Sequence, residues 1–413
     1  MTRSPDPFDA PARPDRRRVL AGALALGCST AASPLLTPIT LAATPGEARL
    51  VVIVLRGGMD GLDVLRPVGD PHLRRYRPRL GVADDADMID DFHALHHRLR
   101  PLRPLWEAGE LGFVQAVSTP YRDARSHFDG QDLLEAGIAP GADAAARGSG
   151  WLNRALSQMS GVQAHTAFAI GHDRMRILAG PAPATVWSPG VRLDLSAQGR
   201  LLLERMYGED ALFSAAGATA LRLAEGREGL GYGAMLRHAT RSGAEAARGA
   251  GDDVVARYVA AQLREETRIA AFSLGGWDTH RDQHHTLVRA LERLSGTLLG
   301  LRDGLGPVWA QTSVLAVTEF GRTVRENGSG GTDHGTGGAL LFAGGALRGG
   351  QVWGDWPGLA DSALYEGRDL MPTRDVRALA AWVLHARFGL PVSGLEGAVF
   401  PGLDMGGAPG MVG

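Results

Sequence analysis

The chain has 413 residues, a formal net charge of −2, 44% hydrophobic residues and 21% charged residues. That is an ordinary globular composition, long enough for one large domain or two smaller ones. It leaves no basic stripe for nucleic acid. The 57 glycines are about twice the usual ~7% and show no collagen-like period, which implies many tight loops on a compact scaffold.

The arginines Arg16, Arg17 and Arg18 stand directly before an apolar segment, Val19 to Gly27. Small residues and proline follow, and Thr40-Leu41-Ala42 has the small-x-small form of a cleavage site. This is the pattern of a twin-arginine signal peptide. Residues 1–43 are therefore expected to be a leader cut near Ala42 or Ala43 and handled by the twin-arginine export machinery. The product would be periplasmic or secreted. The apolar run is shorter than the ~20 residues that span a bilayer, so no stable membrane span is expected after cleavage. Cys28, the one cysteine, lies inside the leader. The mature chain is expected to have no disulfide, thiolate metal site or cysteine nucleophile.

Arg49 to Leu55 is a continuous apolar, β-branched run, suited to a central strand covered on both faces. It ends in Gly57-Gly58-Met59-Asp60-Gly61, which places Asp60 at a strand exit as a metal carboxylate or an Asx turn. His93, His96 and His97 read as surface or packing residues. Gly112 to Val117 reads as a second core strand. Ser126 and Asp129 have the spacing of a capping box, so a helix is expected to begin after Ser126 and to close at Gly137. A hydroxyl at a helix N-terminus beside Arg125 also suits a nucleophile facing an anionic substrate. A helix is expected within 148–158, a short strand at 167–170 and a helical insertion around 196–263.

The strand Arg268 to Leu274 runs into Gly275-Gly276-Trp277-Asp278-Thr279-His280. Asp278 and His280, two apart on an extended segment, face one side. A carboxylate and an imidazole there suit Zn²⁺, Mn²⁺ or a related divalent ion. His284 and His285 open the next helix, expected over 287–301, and offer further ligands. Val314 to Val317 then delivers Glu319 and Arg322 to another strand exit. A loop without apolar residues from Arg325 to Thr336 presents Asp333 and His334 before Ala339 to Ala343 returns inward. Read alone, that loop also has the form of a glycine-rich surface turn whose Asp and His cap turns. A helix over 375–388 and a poorly ordered glycine-rich tail complete the expectation.

Several phrases together resemble the DUF1501 family: LVVIVLRGGMDGLDVLRP, RSHFDGQDLLEAG, FSLGGWDTHRDQ, VTEFGRT with ENGSGGTDHGTGG, and LRGGQVWGDWPGL. That family is similar to the alkaline phosphatase-like superfamily, which includes phosphatases and sulfatases. The resemblance implies an α/β fold, a three-layer α/β/α sandwich, as one domain over 44–413. It implies metal ligands at Asp60, Asp278, His280, Glu319, Asp333 and His334, with Phe320 where the superfamily carries a histidine. The metal would be Zn, Mn, Mg or Ca. For the nucleophile, Ser126 fits the distance to Gly137 better than Ser118, although Ser118-Thr119-Pro120-Tyr121-Arg122 spells a sulfatase-like motif. With no cysteine there, a formylglycine sulfatase is not expected.

The expected function is a metal-dependent hydrolase of a phosphate or sulfate ester, small or polysaccharide, with Arg125 and Arg322 holding the non-bridging oxygens. The alternative is a non-catalytic metal- or carbohydrate-binding scaffold, which Phe320 favours.

Overall fold

The computed structural model describes residues 39–43, 46–80, 87–122, 125–159, 175–182, 184–187, 255–265 and 267–412. In chain order the strands begin with β1 (Ile39–Ala43), β2 (Arg49–Leu55), β3 (Leu65–Arg66), β4 (Asp87–Met88), β5 (Ala94–Leu95) and β6 (Leu111–Ser118). They continue with β7 (Thr185–Trp187), β8 (Thr267–Leu274), β9 (Thr312–Val317), β10 (Gly338–Ala343), β11 (Val352–Trp353) and β12 (Arg374–Asp375).

Nine of these form one mixed sheet in the order β11-β6-β10-β9-β2-β8-β1-β7, with β12 also paired to β6. β2 lies at its centre, parallel to β8 on one side and β9 on the other. β10 runs antiparallel to both β9 and β6. β3, β5 and β4 make a separate three-stranded sheet.

All seven residues of β2 are buried, and the two-residue period of a strand divides them between two cores. Val51, Ile53 and Leu55 pack with the long helix Gln283–Leu305 through Leu287, Leu291 and Leu294. Leu50, Val52 and Val54 pack on the other face with helices Trp151–Gln158 and Val376–Phe388. Each such side chain contributes about 1.5–3 kcal/mol by leaving water. Helices therefore cover both faces, and the strand exits are left as the place where polar residues gather.

Most elements lie where the sequence puts them. The tail does not follow expectation: Leu403, Met405 and Met411 are buried and join the core beside Val376–Phe388. Its apolar residues outweigh the entropy of its glycines. The strand expected at 167–170 lies outside the described residues, as does the expected insertion up to residue 254; residues 255–264 are helical. β1 spans the expected cleavage point and pairs antiparallel with β8 and β7. No helix among the described residues is long and apolar enough to cross a membrane.

Candidate metal centre

Four strand-proximal segments meet at the carboxyl ends of β2, β8 and β9. The helix His127–Ala136 is capped by Ser126, whose hydroxyl accepts from the Asp129 amide at 3.5 Å, and it ends at Gly137 with φ +66°. Its first residue, His127, points toward the sheet: Nδ1 lies 2.8 Å from Glu319 Oε1, just beyond β9. The exit of β2 closes the other side. At Gly57, φ is +124° and a Cβ would stand 2.4 Å from the Asp278 amide nitrogen, so only glycine allows this approach. The Gly57 amide donates to Glu319 Oε1 at 2.9 Å.

Three imidazoles converge on one carboxylate oxygen. Asp278 Oδ1 lies 3.4 Å from His127 Nε2, 3.1 Å from His280 Nε2 and 3.5 Å from His334 Nε2. Two ligand atoms bound at ~2.0–2.1 Å to a tetrahedral ion stand about 3.3–3.4 Å apart. The donor atoms of His127, Asp278 and His334 all lie within 4.8 Å of one another. His280 lies beside this group, with its Nε2 2.8 Å from His334 Nε2, a hydrogen-bond distance.

Every one of these rings is held from behind. His127 Nδ1 faces Glu319, His334 Nδ1 faces the Arg125 carbonyl at 2.6 Å, and His280 Nδ1 faces Asp333 Oδ1 at 3.3 Å. A carbonyl or carboxylate can only accept, so each Nδ1 carries hydrogen. The contact between His280 Nε2 and His334 Nε2 is a hydrogen bond in which one nitrogen donates to the other, and the His127 Nε2 faces the centre. His127 Nε2 is buried without a hydrogen-bond partner. A buried polar atom left in this way calls for an ion or a ligand. The donor set fits a divalent metal, and two imidazoles with a carboxylate suit zinc, iron, copper or nickel. Calcium and magnesium prefer oxygen ligands.

The electrostatics fit the same arrangement. The Glu319 hydrogen bond raises the His127 pKa against the opposing effect of burial. Burial lowers that of His334, helped by the charges of His127 and Arg322. Burial alone would raise the Asp278 carboxyl, but the hydrogen bond and charge of Arg322 outweigh it and hold the pKa below its ordinary value. Glu319 behaves likewise: bonds from His127 and Gln131 outweigh a large burial effect.

The nine residues singled out from sequence take different parts in the structure. Asp278 and His334 are brought together with His127 as candidate ligands, and His280 lies beside them, its Nε2 3.1 Å from Asp278 Oδ1. Glu319 and Asp333 belong to the centre in a different capacity, orienting His127 and His280. Asp60 is a correction. It is wholly buried and bound by both Arg77 Nη atoms at 2.7 and 3.0 Å, by the Gln283 amide at 2.6 Å and by the Leu62 amide at 3.2 Å. It caps the short helix Gly61–Val64, and its lone pairs are occupied.

Arg322 is a second correction. It is 1% exposed and donates to the carbonyls of Gly57, Gly58, Thr332 and Trp277 and to Asp278 Oδ1. A guanidinium so engaged holds the strand exits together and has no fork left for a substrate anion. Arg125 is paired with Asp369 and Glu366 and supplies the carbonyl behind His334. Ser126 stands next to His127 as the helix cap. His285 lies outside the group, 75% exposed and paired with Asp282.

His127 is the ligand that sequence reasoning missed. The signal was its position one residue after a capping serine, which puts it in the first turn, opposite a strand exit. Phe320 also takes an unexpected role. It is buried, and its ring lies 5.0 Å from those of both His127 and His334. It walls the centre rather than leaving a ligand position empty.

The model for "Protein of unknown function (DUF1501)" matches residues 116–386. The chain belongs to the DUF1501 family. The matched region holds the three candidate ligands, His280 and both orienting carboxylates, whereas Asp60 and Arg77 lie before it. No curated protein and no solved structure matches the chain, so the DUF1501 family carries the comparison alone.

Proposed function

We propose that this DUF1501 protein is an exported, metal-dependent hydrolase of a phosphate or sulfate ester. One observation supports the reading: the donor atoms of His127, Asp278 and His334 all lie within 4.8 Å of one another, and each of the two imidazoles is held at Nδ1 from behind. A bound divalent ion would polarise an ester oxygen and lower the pKa of a nearby hydroxyl or water. The side chains prepare for this. Glu319 and Asp333 fix ring orientation, Phe320 keeps water from one wall, and Asp278 and His280, 47% and 40% exposed, leave one side open to substrate. Ser126, which caps the helix directly before His127, is the assigned nucleophile. With Arg322 engaged, Arg368 takes its place beside Arg125. It donates to the His334 carbonyl at 2.6 Å and is 39% exposed.

The test is elemental analysis of protein purified from the periplasm without chelator, followed by turnover of aryl phosphates and aryl sulfates. Stoichiometric metal with turnover lost in Ser126→Ala supports the reading. Protein that takes up no divalent ion and ignores it in thermal melts sinks it.

The second reading is a non-catalytic metal-binding scaffold, and the enclosure of Arg322 favours it. Stoichiometric metal with no turnover of either ester class, and ligand affinity unchanged in Ser126→Ala, would select it.

A further inference from the structure

Beneath the centre lies a buried amide that contacts no ligand yet reaches the segments carrying two of them. Gln283, the first residue of the long helix, is 0% exposed. Its side-chain oxygen accepts from the hydroxyls of Thr279 and Thr332, each at 2.8 Å. Thr279 sits between Asp278 and His280, and Thr332 immediately precedes Asp333 and His334. The side-chain nitrogen donates to Asp60 Oδ2 at 2.6 Å and Asp63 Oδ2 at 2.8 Å. All four hydrogen-bonding positions of the amide that this geometry allows are filled, and its orientation is fixed, because carboxylates cannot donate and both hydroxyls reach the oxygen.

The two carboxylates are themselves anchored. Arg77 holds Asp60 and also donates to the carbonyls of Thr323 and Val324. Arg66 holds Asp63 at 2.7 Å. Thr279 and Thr332 are joined directly as well, by the Thr332 amide donating to the Thr279 carbonyl at 3.1 Å. The loop after β8 and the loop before β10 thus meet at one side chain that is fixed to the exit of β2.

We propose that Gln283 is a positioning residue that sets the distance between the Asp278–His280 segment and His334, and through it the geometry of the metal centre. The inference rests on the metal reading above. Neighbours that orient ligands typically account for 10–100-fold in metal affinity. Here the effect passes through two hydroxyls and backbone rather than through a ring nitrogen. Exchanging the amide nitrogen for oxygen in Gln283→Glu puts a third carboxylate against Asp60 and Asp63. Thr332→Val is the gentler change, removing one of the two staples with little change of volume.

The experiment uses the full chain loaded with Co²⁺, whose visible d–d absorption reports coordination number and symmetry. Wild type, Gln283→Glu, Thr332→Val and Leu298→Ala are titrated, and each is melted without metal. Leu298 is wholly buried further along the same helix and serves as the control for simple destabilisation. Expected are a Co²⁺ affinity at least tenfold weaker and an altered band for Gln283→Glu, a smaller change in the same direction for Thr332→Val, and a lowered Tm with unchanged affinity and band for Leu298→Ala. If Gln283→Glu fails to fold, Thr332→Val alone decides. Variants at Gln283 and Thr332 with wild-type affinity and spectrum overturn the inference while leaving the metal reading intact. Wild-type protein that takes up no Co²⁺ removes both.

Discussion

Asp60 and Glu319 are both wholly buried carboxylates near strand exits, and their partners give them opposite tasks. Asp60 faces a guanidinium and is closed. Replacing it with asparagine leaves Arg77 buried with its charge uncompensated, and breaking a buried pair in this way costs about 3–5 kcal/mol. Asp60→Asn should therefore lower the denaturant midpoint of metal-free protein sharply, and an unchanged midpoint would remove the Asp60–Arg77 pair from the stability of the β2 exit. Glu319 faces an imidazole. Glu319→Gln should weaken metal binding by about 10–100-fold, and His334→Ala should abolish it. A Glu319→Gln variant that binds as tightly as wild type would separate His127 from the centre. Composition and spacing made Asp278, His280 and His334 legible, because each follows or precedes an apolar run by a few polar residues. Nothing comparable marked Asp60 as paired, since Arg77 reaches it only through the fold. The same holds for Glu319: a carboxylate one residue past a strand looks the same whether it binds an ion or a histidine.

At the scale of elements, the centre depends on how closely the strand exits approach. The β2 exit passes against Asp278 with no room for a Cβ at Gly57, whose φ lies in the left-handed region. Gly57→Ala should introduce strain of about 1–3 kcal/mol and displace Asp278. The expected outcome is a lower Tm together with weaker metal binding, whereas Gly306→Ala, where nothing stands within 4 Å, should alter Tm alone. The runs that became β2, β8, β9 and β10 were readable because strands buried on both faces are apolar throughout. The order in which they lie side by side was not, because β10 returns antiparallel between β9 and β6 and no local pattern encodes that neighbour.

For the whole molecule, a bound ion adds stability by mass action, about 2.7 kcal/mol when free metal is ~100 times its Kd. Chelation should lower the Tm by several degrees, and readdition of the ion should restore it. The pH response follows from carboxylates with depressed pKa values. Glu326 is one: burial pushes it upward, but the Arg79 side chain and the amides of Arg79 and Leu80 outweigh that effect. A depressed folded-state pKa gives stability that is fully present above the unfolded value of ~4.3 and lost as pH falls through the folded value. The melting temperature of metal-free protein should accordingly fall below about pH 4, and Glu326→Gln should make that decline shallower. An unchanged slope in the variant would remove Glu326 from the acid response.

The candidate ligands stand far apart along the chain: His127 before β8, Asp278 just after it and His334 beyond β9. A polypeptide still emerging from the ribosome lacks the final imidazole until most of its length has been made. A fragment ending with β9 carries His127 and Asp278 but has nothing to close the ring. An ion held there would therefore mark only molecules made at least as far as His334 and folded so that the exits of β8 and β9 meet.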